Sequence, residues 1–311
     1  MNKQLDILVY GSLNMDFVAF LNNLPKKGET LSAKEFSMIA GGKAANQAVA
    51  ASRLGSSVGM VGRVGADYLG EQLLMALKQE GIITDQVKST PNCNTGIAMV
   101  SVDEFGNNMI VTDKGANAFL SKEDIKDSEE LLRASKAVIL QLEMEQDVAE
   151  YIIRKARKNK KYIVLNLAPI VPIDPEVLAM VDLLVVNETE ATQLSGIYVN
   201  EFSSAKVAAQ EIHTKEIENV IITLGENGAL LSFPSAIEHY LPPKVTVVDS
   251  TAAGDCFVAS VTSFWIRYGD LGKAVKKAVE VSALSVTKKG AQSSLPTLQE
   301  YENFIVKETT Q

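Results

Sequence analysis

The sequence is poor in the residues on which several common kinds of catalytic and metal site depend. Histidine and cysteine occur only twice each in 311 residues. His213 and His239 are too few for a histidine-based metal site or a Ser-His-Asp triad. Because Cys93 and Cys256 lie far apart, we expect two free thiols in a reducing compartment, not a disulfide. The chemistry must therefore depend on carboxylates, amides and backbone groups.

Positive charge and long apolar stretches are also scarce. The 30 Lys and Arg residues are outnumbered by 38 Asp and Glu residues, and no basic run is present. This argues against a nucleic acid or an acidic membrane as partner. No apolar stretch is long enough to span a membrane, and residues 1–10 lack the apolar region and cleavage site of a signal peptide. We therefore expect a cytoplasmic protein with small-molecule ligands.

Short apolar runs alternate with helical patterns along the chain. Runs rich in Val and Ile occur at residues 7–10, 58–61, 137–142, 162–167, 183–186 and 220–224. Continuous runs of this kind suit strands that are covered on both faces, as in a parallel sheet. No linker divides the chain. We therefore expect one α/β domain over residues 1–311, with a doubly wound, mostly parallel central sheet and helices on both faces.

Two stretches interrupt this alternation. Residues 29–39 and 95–113 have mixed polarity and resemble hairpin or edge strands. We expect them to form a small separate β-sheet from about residues 14–40 and 94–114. This sheet could be a lid over a substrate. It could equally be an ordinary insertion or a dimer contact, and the sequence favours neither.

Polar side chains follow four of the predicted strands, at the point where each strand ends. They are Glu143, Asn166, Asn187 and Thr223. Ligands of open α/β sheets bind beyond the carboxyl ends of the strands, so these groups should face one crevice. Each could instead cap a helix, and Asn187 three residues before Glu190 resembles a capping box. Four such residues in succession favour a site.

Residues 249–257, Asp-Ser-Thr-Ala-Ala-Gly-Asp-Cys-Phe, contain the start of a predicted helix. The free N–H groups and the positive dipole end of a helix N-terminus favour a phosphate or an oxyanion. Asp255 in the first turn could simply stabilise the dipole. In a phosphotransferase it could instead accept the proton of an attacking hydroxyl. This segment alone leaves both interpretations open.

Three further segments combine glycine with polar residues. Residues 41–46 precede a helix, but the spacing before the lysine is not that of a Walker A loop. Residues 223–228, Thr-Leu-Gly-Glu-Asn-Gly, are equally compatible with a hairpin turn. Asn14 and Asp16 follow the first strand, and such an amide and carboxylate pair suits vicinal hydroxyls. An Asx-turn is the alternative.

Together these segments resemble the ribokinase family of carbohydrate kinases over nearly the whole chain. The shared elements are residues 11–16, 41–48, 141–143, 187–190, 223–225, 252–255 and 288–292. The resemblance implies transfer of a phosphoryl group from ATP to the 5-hydroxyl of a sugar, with D-ribose as the expected sugar. Deoxyribose, fructose or a nucleoside are alternatives, as is a catalytically silent sugar-binding regulator. A dehydrogenase is disfavoured because no Gly-x-Gly-x-x-Gly follows the first strand.

The resemblance also implies roles for individual residues at the reacting centre. Asp255 would take the proton of the sugar hydroxyl. An anion hole would be formed by backbone N–H groups of Ala252, Ala253 and Gly254. The sugar would be held by Asn14, Asp16, Gly42, Lys43, Asn46 and Glu143, together with Asp255.

Further residues would hold the nucleotide and cations by the same resemblance. ATP would be lined by Asn187, Thr223, Gly225, Gly228 and Gly254, and Asn187 and Glu190 would position Mg²⁺ through water. An activating K⁺ would lie among Asp249, Thr251, Ser285, Lys288, Gly290 and Ser294. A homodimer through the lid sheet is also implied. Around Val279 and Glu280 the family more often has a polar Asn or His near the adenine, so this chain departs from the family pattern at that base contact.

Overall fold

The computed structural model describes residues 4–308. The strands within these residues are β1 (Leu5–Tyr10), β2 (Asn14–Phe20), β3 (Glu35–Gly41), β4 (Val58–Gly65), β5 (Ile83–Thr90), β6 (Gly96–Val102), β7 (Asn108–Asp113), β8 (Ser135–Leu140), β9 (Tyr162–Asn166), β10 (Leu183–Asn187), β11 (Val220–Thr223), β12 (Ala229–Phe233) and β13 (Ala236–Tyr240). The α-helices are α1 (Lys43–Arg53), α2 (Tyr68–Gln79), α3 (Lys122–Asp127), α4 (Glu129–Ala134), α5 (Gln146–Lys158), α6 (Pro175–Leu178), α7 (Glu188–Ser195), α8 (Phe202–His213), α9 (Ala253–Tyr268), α10 (Leu271–Ser285) and α11 (Leu298–Glu308).

A nine-stranded sheet in the order β13-β12-β11-β10-β9-β8-β1-β4-β5 occupies the centre. The strands from β11 to β5 in this order are parallel, and β12 and β13 are added antiparallel at one edge. Side chains of β1 alternate between two cores. Ile7 and Val9 pack in a core with α1, α9 and α10, whereas Leu8 and Tyr10 pack in one with α5 and α8. Burying each such side chain contributes about 1.5–3 kcal/mol.

The sheet changes direction at β1, which lies between β8 and β4. The chain adds strands on the β4 side first and continues from β8 on the other side. Ligands of doubly wound sheets bind at this switch point, beyond the carboxyl ends of the strands. Residues 11–16 and 141–143 follow β1 and β8 and therefore flank the crevice.

A separate four-stranded sheet has the order β3-β2-β6-β7. We call it the small sheet. Strand β2 is antiparallel to β3 and parallel to β6, and β6 is antiparallel to β7. The register aligns Phe17 with Met38 and Met99, and Met99 with Val111, on the face opposite to Asp16. Met38, Met99 and Val111 are each more than half exposed, so this outer face is apolar and open to solvent.

Two parts of the large sheet were not predicted. Strand β5 pairs with β4 at an edge, and only three of its eight residues are buried. The hairpin of β12 and β13 was also not predicted. Strands β11 and β12 are antiparallel and are joined by a turn at Gly225–Asn227, so the hairpin interpretation of residues 223–228 is confirmed. Both cysteines are free, as expected. In the part of the chain from residue 4 to 308, no helix combines the length and hydrophobicity needed to cross a membrane.

Candidate active site

Helix α9 begins with an unusual backbone conformation. Ala252, which precedes the first helical residue, has φ of 60°, in the left-handed region that residues other than glycine rarely adopt. The Ala253 N–H donates to the Ser250 carbonyl at 3.1 Å. Within residues 4–308, the N–H groups of Ala252, Gly254 and Asp255 have no protein acceptor. This helix start therefore offers free donors and a positive dipole end to an anion.

Asp255 lies in the first turn of α9 and is only 7% exposed. Its two oxygens each accept one amide hydrogen bond, Oδ2 from Asn46 Nδ2 and Oδ1 from Gln47 Nε2, both at 2.9 Å. Burial raises the pKa of this carboxyl, while the charge of Lys43 and the two hydrogen bonds act in the opposite direction. A fixed carboxylate with a raised pKa is suited to accept a proton from a hydroxyl.

Asn14 and Asp16 lie two residues apart on β2 and therefore share one face. The Asn14 Oδ1 accepts a hydrogen bond from Asn117 Nδ2 at 2.8 Å, which leaves the Asn14 NH₂ group as the donor to a ligand. Asn117 also exchanges two hydrogen bonds with the Leu13 backbone, at 2.9 and 3.0 Å. Sequence reasoning missed Asn117, which fixes the orientation of a predicted sugar contact.

Three carboxylates and one ammonium group act on one another in this crevice. Burial, Glu143 and Asp255 raise the pKa of Asp16 to about 7, and Lys43 partly opposes them. Burial lowers the pKa of Lys43, but Asp255, Glu143 and other carboxylates raise it by more, so Lys43 stays charged. The Ser12 hydroxyl donates to Glu143. The structure thus brings together carboxylates and donors suited to a polyhydroxylated ligand.

Gly42 allows the start of α1 to approach the segment after β1. Its φ is 91°, and a Cβ there would lie 2.7 Å from the Ser12 carbonyl oxygen and 2.8 Å from the Asn14 nitrogen. Both neighbours are backbone atoms that cannot rotate away. Only glycine therefore allows the start of α1 to approach the backbone of residues 12–14 this closely.

A cavity of about 710 Å³ is lined in part by Ala253, Gly254 and Phe257 of α9. Its size is in the range of small-molecule sites. Apolar walls come from Phe257, Val279 and Val286. The lining contains four residues of the predicted nucleotide site, namely Thr223, Gly225, Gly228 and Gly254. It also contains residues that sequence reasoning missed, among them Pro242, Pro243, Val245, Val247 and Ser282.

Asn187 and Glu190 form the capping box of α7. Asn187 Oδ1 accepts from the Glu190 N–H at 2.8 Å, and Glu190 Oε2 accepts from the Asn187 N–H at 2.9 Å. Burial raises the pKa of Glu190, and the hydrogen bond from the Asn187 N–H and the charge of Lys43 oppose this only in part. The interpretation of this pair as a capping box is therefore confirmed. Because the cap uses Asn187 Oδ1 and Glu190 Oε2, the second carboxylate oxygen of Glu190, Oε1, is the one outside the cap.

Asp249 joins the two loops that contain the predicted K⁺ residues. Its Oδ1 accepts from the Thr251 N–H at 2.9 Å and the Thr251 hydroxyl at 2.6 Å, and its Oδ2 accepts from the Gly290 N–H at 2.8 Å. Burial opposes ionisation, but these hydrogen bonds hold the pKa of Asp249 below its usual value. The Lys288 side chain instead pairs with Glu300 at 2.5 Å. Lys288 therefore has only its carbonyl to offer a cation.

Two more of these residues hold their own loop together. The Ser285 hydroxyl donates to the Ser282 carbonyl, and the Ser294 hydroxyl donates to the Ala291 carbonyl, both at 2.8 Å. Both side chains are buried. The donors that remain for a cation in this region are hydroxyl and carbonyl oxygens and one carboxylate, which are the ligands that hard cations prefer.

Comparison with known proteins agrees with this geometry. The family model described as pfkB family carbohydrate kinase matches residues 4–298. The chain is 38% identical to a ribokinase of Haemophilus influenzae, over 98% of this chain and 99% of that protein. It is 37% identical to a deoxyribokinase of Salmonella typhi, over 97% of this chain and 99% of that protein.

Among solved structures, the ribokinase of Arabidopsis thaliana complexed with ribose and ATP has a TM-score of 0.89 and 30% identity, over 97% of this chain and 99% of that one. The family resemblance seen in the sequence is thereby confirmed. So is the predicted fold class, a mostly parallel central sheet with helices on both faces and a small additional sheet. The chain belongs to the pfkB family of carbohydrate kinases.

Proposed function

We propose that this protein transfers the γ-phosphoryl group of ATP to the 5-hydroxyl of D-ribose, giving ribose 5-phosphate. One observation carries the proposal. Asp255, in the first turn of α9, accepts a hydrogen bond from Asn46 of α1 and interacts electrostatically with Asp16 of β2, while the residue before it, Gly254, lines the cavity of residues 223–286. The ribokinase relatives, one of them complexed with ribose and ATP, support this choice of substrates.

The residues of the crevice have two roles: some orient the sugar, and Asp255 accepts the proton of its hydroxyl. Asn14, Asp16 and Glu143 accept or donate hydrogen bonds to the ribose hydroxyls, and Asn46 offers a buried Oδ1 that has no partner in the described chain. Asp255 accepts the proton of the 5-hydroxyl. The N–H groups of Ala252 and Gly254 hold the charge that develops on the transferring phosphoryl. Positioning and charge stabilisation supply most of the barrier reduction.

Two cations complete this proposal. Mg²⁺, positioned through water by Asn187 and Glu190, would neutralise charge on the ATP phosphates. K⁺ would lie near Asp249 and Thr251 among the carbonyls of residues 285–294, where it would order the loop before Ala252. The oxygen-rich donor set of both places fits such hard cations.

The small sheet has two proposed roles within a single domain. The face that contains Asp16 would cover the sugar as a lid and exclude water, which competes with ribose as acceptor. The outer face, with Met38, Met99 and Val111 exposed, would form a homodimer interface. Sedimentation velocity at several concentrations tests the dimer. A cytoplasmic location stays a prediction.

A second candidate is phosphorylation of deoxyribose, because a deoxyribokinase is similar over almost the entire chain. A coupled assay of ADP release with ribose, deoxyribose, fructose and adenosine, with and without K⁺, separates the candidates. We expect the highest kcat/KM with ribose and a higher rate with K⁺. A higher kcat/KM with deoxyribose would reassign the substrate. Ribose binding without ADP release would instead indicate a silent regulator.

A further inference from the structure

Two buried glutamines connect Asp255 to the centre of the large sheet. Gln47 lies in the first part of α1 and Gln141 directly follows β8, and neither side chain is exposed. Gln141 Nε2 donates to Gln47 Oε1 at 2.5 Å, and Gln47 Nε2 donates to Asp255 Oδ1 at 2.9 Å. We call this chain of hydrogen bonds the glutamine relay. It joins three segments that are far apart in sequence at the switch point of the sheet.

The charge of Asp255 determines the direction of the relay. An ionised carboxylate only accepts hydrogen bonds, so Gln47 must turn its NH₂ group towards Asp255. The Gln47 Oε1 then faces Gln141, which must present its own NH₂ group. The two amide dipoles are therefore aligned towards the carboxylate, and each strengthens the other. A protonated Asp255 would not impose this order, so the relay favours the ionised form.

The space for the relay depends on Gly11, at the end of β1. A Cβ at this position would lie 2.5 Å from Gln141 Oε1 and 2.9 Å from the Ala44 Cβ. Glycine therefore leaves the room that Gln141 fills. Asn46, next to Gln47, donates to the other carboxylate oxygen, Oδ2. The two oxygens of Asp255 consequently differ, since Oδ1 faces the buried relay and Oδ2 lies beside a residue of the sugar site.

We propose that Gln47, held in place by Gln141, is a positioning residue for phosphoryl transfer. The relay binds Oδ1 and stabilises the carboxylate, which leaves Oδ2 to accept the proton of the sugar hydroxyl. In that step the hydroxyl O–H bond breaks and the Oδ2–H bond forms. The freed electron pair of the sugar oxygen forms the new P–O bond as the bond to the β-phosphate oxygen breaks and ADP leaves. This inference rests on the proposed kinase function and adds Gln47 and Gln141 to it.

Other charged groups also act on Asp255, and the test must hold them constant. Lys43 on α1 favours its ionised form, while Glu143 after β8 and Asp16 on β2 disfavour it. The Cys256 thiol, fully buried in α9, is the adjacent titratable group. Substitution of a glutamine in the relay leaves all four in place. A change in the titration of Asp255 then reports the lost hydrogen bond.

The decisive experiment measures single-turnover phosphoryl transfer against pH for the full chain and for Gln47→Met, with saturating ATP and sugar. Methionine keeps the volume of the side chain but removes the N–H donor. We expect the rate at pH 7 to fall roughly 10- to 100-fold, as for loss of one hydrogen bond to a charged group. The acid limb of the profile should move up by about one pH unit. Sugar Kd should change less than about threefold, because Gln47 contacts Asp255 and not the sugar.

Two further variants make the result specific. Gln141→Met should move the acid limb in the same direction by a smaller amount. In this variant Gln47 keeps its hydrogen bond to Asp255 but no longer accepts the hydrogen bond from Gln141 that holds its side chain in place. Gln86→Met is the matched control, since within residues 4–308 Gln86 on the edge strand β5, like Gln141, has a buried Oε1 without a hydrogen-bond partner. It should keep the wild-type profile. If Gln47→Met does not fold, the positioning role is tested by comparing the acid limbs of the pH–rate profiles of Gln141→Met and Gln86→Met.

The positioning role of the relay is refuted if Gln47→Met and Gln141→Met fold and keep the acid limb of the wild-type pH–rate profile. It is also refuted if Gln86→Met moves that limb by the same amount. The proposed kinase function is tested separately, by measuring sugar phosphorylation by the wild-type protein. Should the wild type phosphorylate none of the sugars, the kinase proposal fails. The effect on Asp255 is then read from its carboxyl ¹³C chemical shift against pH, where an equal Asp255 pKa in wild type and Gln47→Met refutes the relay.

Discussion

Replacing Asp16 by asparagine should stabilise the protein in the absence of substrates while weakening sugar binding. Burial and two neighbouring carboxylates raise the pKa of Asp16 from 3.8 to about 7. No residue within 4–308 donates a hydrogen bond to this carboxylate to offset that cost. The shift is about three units, and at about 1.36 kcal/mol per unit the ionised group costs on the order of 4 kcal/mol. Partial exposure and salt screening reduce this to about 2 kcal/mol.

The sign of the pH dependence follows from the raised pKa. Between about pH 4 and pH 7 the folded protein holds the Asp16 proton more tightly than the unfolded chain does. The free energy of unfolding therefore falls as the pH rises through this window. Asparagine does not titrate, so Asp16→Asn should gain stability over the wild type across the same window. The gain should be small at pH 4 and complete above pH 7.

Thermal unfolding followed by fluorescence at pH 5 and pH 8 checks this prediction. We expect the Tm of Asp16→Asn to exceed the wild-type Tm by roughly 4 °C or more at pH 8 and by clearly less at pH 5. Asp113→Asn, on the exposed strand β7 of the same small sheet, is the control and should leave Tm unchanged at both pH values. Sugar KM should rise roughly 10- to 100-fold in Asp16→Asn. A Tm difference that does not depend on pH would refute the reasoning.

Three further substitutions test other parts of the site and the small sheet. Asp255→Ala should lower kcat roughly 10²- to 10⁴-fold with little change in sugar Kd, measured by ADP release and calorimetry; unchanged turnover would exclude Asp255 as the base. Asp249→Asn should raise the KCl concentration needed for half-maximal activation at least about tenfold, because it removes a charge near the bound cation; an unchanged KCl titration would place K⁺ elsewhere. Met99→Glu, in the middle of the exposed apolar face, should shift the sedimentation coefficient from dimer to monomer, and a persistent dimer would point to another interface.

The strands buried on both faces were predictable from sequence, because a continuous apolar run needs no knowledge of its neighbours. Strand β8 contains such a run, Ala-Val-Ile-Leu, and five of its six residues are buried. Strand β5 was missed because an edge strand mixes polar and apolar residues, as in Ile-Thr-Asp-Gln-Val-Lys-Ser-Thr. Its pairing with β4 comes from the tertiary structure and not from its own composition.

The candidate site was predictable in its types of residue but not in its connections. Asp255 and the glycines near it stood out because a helix start has a local signature. Gln47 and Asn117 did not, because their importance arises from contacts across 208 and 103 residues of chain. The one available signal was that Gln47 and Gln141 both lie within segments shared with the ribokinase family. Neither residue type at those positions indicates a hydrogen-bond partner by itself.

The electrostatics of the crevice explain why its components must act together. In the part of the chain that the structure describes, the carboxylates of Asp16, Glu143 and Asp255 interact with one ammonium group, that of Lys43. Burial and the neighbouring carboxylates raise the pKa of both Asp16 and Asp255. ATP would bring still more negative charge to the same place, so the open N–H groups of α9 and bound cations are needed to balance it. A neutral sugar, in contrast, donates its hydroxyls to carboxylates that otherwise repel one another. The groups that destabilise the protein without ligands are therefore the ones that a polyhydroxylated substrate satisfies, which is why stability and sugar affinity should change in opposite directions at Asp16.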